Sequence, residues 1–120
     1  MLFQIVLLCA VCIFPVYAAK HHPQDFLDSI QGQQDEGKKI VQHFCATCHA
    51  IKPVINLGAP KIAEKSDWLI RYKQGLDILF KHTAEGYNAM PPRGGCFECS
   101  DDQLKKAIQA MLPIMKENTK

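Results

Sequence analysis

Cys45-Ala46-Thr47-Cys48-His49 is the stretch that decides how this chain folds. Two cysteines two residues apart, followed at once by a histidine, form the pattern by which a protein attaches a c-type haem. Two thiols add across the vinyl groups of the porphyrin, and the next residue presents an imidazole to the iron. Shuffling the composition of this chain yields the pattern in about one sequence in a hundred, so chance is a poor account of it. Half a zinc site or a redox dithiol shares the same C-x-x-C core. Those readings stay open until the other cysteines are assigned.

Towards the N-terminus, Gly37, Ile40, Val41 and Phe44 recur at three- and four-residue spacing. The spacing predicts an amphipathic helix over 35–45 that delivers the motif, with Asp35 and Glu36 suited to its positive end. Gly37 and Phe44 are assigned to a close crossing between this helix and the last one. Residues 20–34, with two histidines, a proline and a polar run, read as a leader outside the main domain, partly helical at 25–30. Before it, Leu2 to Phe14 is an almost unbroken apolar run followed by Pro15-Val16-Tyr17-Ala18-Ala19. The run is short for a membrane span and ends in small residues, so residues 1–19 read as a signal peptide cleaved after Ala18 or Ala19. No Lys or Arg precedes it, which leaves an uncleaved membrane anchor as the alternative.

Removing 1–19 deletes no charged residue, so the formal net charge stays at +2. No basic cluster with interleaved aromatics points to nucleic acid. Cys9 and Cys12 leave with the signal, and Cys45, Cys48, Cys96 and Cys99 remain. In an oxidising compartment each of them needs a fate: haem, disulfide or metal. About a hundred mature residues bury only a modest apolar core, so a covalently bound haem would itself be part of that core.

Towards the C-terminus the chain runs through breakers, Lys52-Pro53 and Asn56-Leu57-Gly58-Ala59-Pro60. Ser66 then reads as the N-cap of a short helix to about Gln74. Gly75 separates it from a second helix over 76–85, which Gly86 stops. Residues 87–95 are rich in turn formers. The last helix is the best marked: Ser100 with Gln103 forms a capping box, and Leu104, Ala107, Ile108 and Met111 form its apolar stripe. Pro113 ends or kinks it. No strand-like alternation competes with these four helices, so the domain over 35–120 is all-α.

If a haem is present, its sixth iron position sets the function. An open position suits gas binding or peroxide chemistry, and a methionine there suits electron transfer and raises the reduction potential. Met90, Met111 and Met115 are the candidates after the signal. Met111 lies in the apolar stripe of the last helix and Met115 follows Pro113. Met90 sits in Asn88-Ala89-Met90-Pro91-Pro92-Arg93-Gly94-Gly95, where two prolines stiffen the backbone around its thioether. Met90 is therefore the predicted ligand, and His43 and His82 read as surface histidines.

Together these segments make residues 35–112 resemble a class I c-type cytochrome, most similar to the bacterial cytochrome c5 family. Gly37-Lys38, the Cys45–His49 motif, Gly58-Ala59-Pro60-Lys61, Trp68, Gly75-Leu76, the Met90–Gly95 stretch, Cys96 with Cys99, and Ser100-Asp101-Asp102 carry the resemblance in order. It implies a small cytochrome c fold of about four helices around one haem c, covalent through Cys45 and Cys48, with His49 and Met90 on the iron. It implies a small disulfide between Cys96 and Cys99; a redox-active dithiol is the alternative. By analogy with a proline of related cytochromes, the Pro60 carbonyl is expected to accept from His49 Nδ1–H. Trp68 as donor and Arg71 as cation are candidates to reach a haem propionate, with ordinary packing and a solvated charge as the alternatives. One departure is visible: Ile62-Ala63-Glu64 stands where relatives often carry Gly-Asp.

The functional expectation is a periplasmic one-electron carrier in a respiratory chain. Its partners would be redox proteins, membrane-bound or soluble reductases and oxidases, some steered by lysines near the exposed haem edge. No nucleic acid and no small-molecule substrate at iron are expected, and membrane association would come only through partners or an uncleaved signal. Two other classes remain: an enzyme or sensor with an open sixth position, and a zinc protein using Cys45, Cys48, Cys96 and Cys99.

Overall fold

The computed structural model describes residues 22–114, so the expected signal segment and Met115 lie outside the described residues. Six α-helices occur among them: α1 (Pro23–Ile30), α2 (Glu36–Ile40), α3 (Ala46–His49), α4 (Lys65–Tyr72), α5 (Leu76–Glu85) and α6 (Asp101–Met111). A π-helical stretch, Val41–Cys45, joins α2 to α3, and a 3-10 turn, Pro92–Gly95, precedes α6. An isolated antiparallel bridge between Tyr87 and Met90 is the only strand-like pairing among the described residues. The chain is all-α.

The helix expected over 35–45 is a longer run, from Glu36 to His49, whose middle turn is π rather than α. Such widened turns concentrate at functional sites. Because the helical run continues through the motif, Cys45, Cys48 and His49 follow i, i+3, i+4 spacing and share one face. α2 lies against α6 at very close range. A Cβ built on Gly37 would stand 2.3 Å from the Lys106 carbonyl oxygen, so only glycine fits the crossing.

The segment read as a leader belongs in part to the core. Proline at the start of α1 lacks only an N–H that the first turn leaves unpaired anyway. Leu27 and Ile30 are buried in the same apolar cluster as Ile40, Val41, Leu104, Ala107, Ile108 and Met111. Phe26 packs at its edge and stacks on His43, ring centroids 4.2 Å apart. Phe26, Leu27 and Ile30 form a short helical stripe, which the polar composition around them disguises.

Two more boundaries differ from expectation. α4 starts at Lys65 with Glu64 as its N-cap, and Ser66 lies inside the first turn, donating its hydroxyl to Glu64 Oε1 at 2.9 Å. The helix ends at Tyr72, short of Gln74. α5 runs between Gly75 and Gly86 as expected. Gly86 has φ +87°, and a Cβ there would meet Met90 O and Pro92 N at 3.0 Å, so both its conformation and its neighbours require glycine. α6 carries the full capping box: Gln103 N–H donates to Ser100 Oγ at 3.2 Å, and Ser100 N–H donates to Gln103 Oε1 at 3.0 Å. It ends at Met111, before Pro113.

One buried charge ties these helices together. Glu36, only 1 % exposed, accepts from Gly32 N–H (3.0 Å), Gln103 Nε2 (3.1 Å) and Lys106 Nζ (2.6 Å). Burial alone would push its carboxyl up; the hydrogen bonds from Lys106, Gln103 and Gly32 outweigh that and hold it below the ordinary value of 4.5. The N-terminus of α2 is thereby fastened to the first turns of α6.

Candidate functional site

A cavity of about 690 Å³ opens between the motif, the 57–60 loop, α4, α5 and the Met90 loop. Cys45, Cys48 and His49 line it together with Pro60, Trp68, Arg71 and Met90, so the structure brings every expected haem-site residue to one cavity. Phe44, Leu79, Pro91, Ile108 and Met111 supply much of its apolar lining. The volume lies well inside the range of ligand sites and is large for a domain of this size.

His49 is buried, and its ring is oriented by the loop that follows it. Its Nδ1 lies 2.7 Å from the Pro60 carbonyl oxygen. A carbonyl only accepts, so Nδ1 carries the proton and Nε2 keeps the lone pair that a metal needs. The same loop is clamped twice more. Ile55 N–H donates to Thr47 O at 2.9 Å and Ile62 N–H to His49 O at 2.8 Å.

Cys45 and Cys48 are free, half-buried thiols. Burial pushes the Cys45 thiol up to about 11, and the neighbouring Cys48 adds to the effect. Neither the zinc reading nor the second dithiol reading fits the remaining pair. Cys96 and Cys99 are bonded to each other, Sγ–Sγ 2.00 Å and Cα–Cα 5.4 Å, and are therefore not free to complete a four-thiolate site. Both are almost fully buried, which shields them from an attacking thiolate.

Met90 is fixed through its backbone. Its N–H donates to Tyr87 O at 2.9 Å and its carbonyl accepts from Tyr87 N–H at 3.1 Å. Its side chain is half-buried, with Cε near Gly94 on one side. Thr83, on the buried face of α5, donates to Leu79 O and turns its methyl towards the same spot.

Trp68 corrects one expectation. Its single N–H donates to the Lys61 carbonyl at 2.8 Å, so the indole is a buried cavity wall and a loop anchor, with no donor left for a propionate. Asp67 completes that anchor by accepting from Lys61 N–H at 3.0 Å. Arg71 is exposed at the cavity, and its guanidinium donates to the Asp67 carbonyl. His82, read as a surface residue, is half-buried in the cavity lining and stacks on Tyr87 with ring centroids 4.0 Å apart. His43 is exposed against Phe26 and Phe44.

Sequence reasoning passed over Glu36 as a buried charge, Asp67 and the Lys61 carbonyl as loop anchors, and Thr83 beside Met90. Only Thr83 had a local signal, one turn after the apolar Leu79 and next to Phe80 on α5. The residues present fit a haem: two paired thiols for thioethers, an imidazole with a free Nε2, a thioether on a braced loop, and apolar walls between them.

A family model described as "Cytochrome C oxidase, cbb3-type, subunit III" matches residues 32–109. Cytochrome c5 of Azotobacter vinelandii is 42% identical over 82 residues, which cover 67% of this chain and 95% of that protein. Cytochrome c5 of Ectopseudomonas mendocina is 43% identical over 74 residues, covering 60% and 82%. Among solved structures, the cytochrome c in an electron transfer complex with nitrite reductase superposes with a TM-score of 0.57 at 36% identity, covering 63% of this chain and 89% of that one.

Proposed function

Because this chain belongs to the class I c-type cytochromes and is c5-like, we propose that it is an exported, periplasmic one-electron carrier of a respiratory chain, with His49 and Met90 as axial ligands of its single haem c. Proteins of this family are electron-transfer proteins and not enzymes, and their haem is covalently bound. The observation that carries the reading is the His49 Nδ1–H bond to Pro60 O, which leaves Nε2 free in a cavity that Met90 also lines.

When bound, the haem supplies the one-electron couple. Cys45 and Cys48, on one face of a helix, would hold it by thioether bonds, which would keep its position insensitive to redox state. His49 offers a basic Nε2 because Pro60 takes the other ring proton. Met90 offers a weak, polarizable sulfur, which favours the reduced state and raises the potential. The apolar walls around Trp68, Leu79 and Ile108 keep water away and push in the same direction. Two protein ligands would leave no open position for a substrate and would demand little rearrangement on electron transfer.

The cavity mouth suits protein partners. Leu57, Ile70 and Tyr87 line it and are each more than half exposed. Residues 51–74, which supply much of this rim, hold five basic residues (Lys52, Lys61, Lys65, Arg71, Lys73) against Glu64 and Asp67. Arg71 is the one of these that lines the cavity, and a basic segment beside an apolar spot favours an acidic redox partner and speeds its encounter. The superposable cytochrome in complex with nitrite reductase supports protein redox partners in general. The 1–19 segment supports export, and among the described residues no helix is long and apolar enough to cross a membrane.

An optical spectrum of the exported protein, oxidised and reduced, with acid–acetone extraction, tests the reading. Low-spin bands, a methionine-to-iron charge-transfer band and unextractable haem are expected. High-spin bands would refute the ligation, and extractable haem the attachment.

A further inference from the structure

The Met90 loop contains a residue that its backbone does not favour. Arg93, Gly94 and Gly95 are successive left-handed residues, with φ of +57°, +59° and +83°. Two of the three are glycine, which adopts that region without steric cost. An arginine there carries a cost that glycine would avoid, so the side chain must return something.

What it returns is a tie. The Arg93 guanidinium donates to the carbonyl of Cys99 and to Asp101 Oδ1, the latter at 3.1 Å. Cys99 and Asp101 flank Ser100, the N-cap of α6. The disulfide cannot make this connection by itself, because it closes only the short turn from Cys96 to Cys99. Arg93 reaches from the ligand-bearing side of that turn to its far end.

The same end of α6 also holds the other ligand segment. Gln103, the partner of Ser100 in the capping box, donates to Glu36 at the start of the helical run that carries Cys45, Cys48 and His49. Arg93 and Glu36 therefore anchor two distant segments to one helix N-terminus.

We propose that Arg93 is a positioning residue for Met90, setting the distance of its thioether from the His49 side of the cavity through the α6 N-terminus. The inference rests on the reading of Met90 as the sixth ligand and goes beyond it. Asp101 is 63% exposed on its side chain, so the ion pair contributes little and the Cys99 carbonyl is the firmer partner. The role is electronic in outcome and geometric in cause.

The test uses the haem-loaded protein with Arg93→Gly, Arg93→Lys and Asp101→Asn. The readouts are the methionine-to-iron charge-transfer band, the midpoint potential and the rate of cyanide binding to the ferric form. Arg93→Gly relieves the backbone and removes the tie. It is expected to weaken the band, lower the potential and raise the cyanide rate by about tenfold or more, the scale set by losing a charge-assisted hydrogen bond. Arg93→Lys should rescue part of each effect, and Asp101→Asn should change the rate by less than about threefold. If Arg93→Gly does not accumulate, Arg93→Gln, which keeps length and loses charge, is read in the same way. A variant that melts earlier but keeps band, potential and cyanide rate would show Arg93 to be ordinary structural glue and overturn the proposal. An unmodified protein without the band would overturn the Met90 ligation first, and the Arg93 role with it.

Discussion

Gly37→Ala distinguishes two physical effects of opposite sign. In a helix exposed to solvent, alanine in place of glycine stabilises by about 1 kcal/mol, because it restricts the unfolded chain and favours helical angles. At position 37 the new methyl would sit 2.3 Å from Lys106 O and 2.7 Å from Lys106 C. Ordinary contact begins at 3.4 Å, so α2 and α6 would have to separate by roughly 1 Å along that line. The obstacle is backbone, which cannot rotate aside as a side chain would. Overpacking of this kind costs about 1–3 kcal/mol and more when two rigid elements must part. The same separation strains the bonds from Gln103 and Lys106 to the adjacent Glu36. The net expectation is a loss of about 2 kcal/mol, or a melting temperature lower by roughly 8–16 °C for a domain near a hundred residues. Thermal unfolding followed by far-ultraviolet circular dichroism measures it. A variant as stable as the parent, or more so, would refute the close-crossing account.

Three further outcomes follow from named contacts. Glu36 has a folded pKa below its unfolded value, so its contribution to stability is full above about pH 4.5 and is lost as pH falls through the lower folded value; Glu36→Gln should cost about 1.5–3 kcal/mol at neutral pH, and the gap from the parent should narrow in acid, whereas a pH-independent gap would contradict it. Ala63 has φ +58°, so Ala63→Gly should raise stability by about 0.5–1 kcal/mol, and a lower melting temperature would count against that strain. Met90→Ala should lower the midpoint potential and admit cyanide or carbon monoxide, and unchanged values for both would exclude Met90 as ligand.

What was legible in the sequence was mostly local. The C-x-x-C-H run, the Ser100–Gln103 capping box and the stops at Gly75 and Gly86 each have a short-range signature, and the structure shows the corresponding local geometry. The errors share a different cause. Leu27 and Ile30 are three residues apart in a polar segment, and only the apolar face they meet reveals them as core. Glu36 looks like an ordinary acidic first-turn residue, yet its partner Lys106 lies 70 positions away. Trp68 reads as a candidate propionate donor from its N–H alone; the Lys61 carbonyl that takes that N–H comes close only after the 57–62 loop has folded back. Long-range pairing decided each of these, and no periodicity encodes it.

On the proposed ligation, the two ligand segments would not be held equally. His49 ends a helix, next to Cys48, one of the two thiols proposed to hold the haem, and its loop returns to it at Thr47 O, His49 Nδ1 and His49 O. The two backbone bonds hold the loop, and the bond to the Pro60 carbonyl holds the ring itself. Met90 lies in a loop with a two-bond bridge to Tyr87, and beyond it come two prolines and three left-handed residues. Its sulfur is also the weaker donor. Any perturbation shared by the whole domain should therefore release the sixth position before the fifth. This asymmetry is useful to a carrier. On the proposed ligation the firm side would keep the cofactor in place, while the potential would be adjusted by changes in a short loop tied to α6 through Arg93. On that reading, substitutions in 87–95 that spare Arg93 and the left-handed glycines should shift the potential, while the helical run from Glu36 to His49 stays as it is.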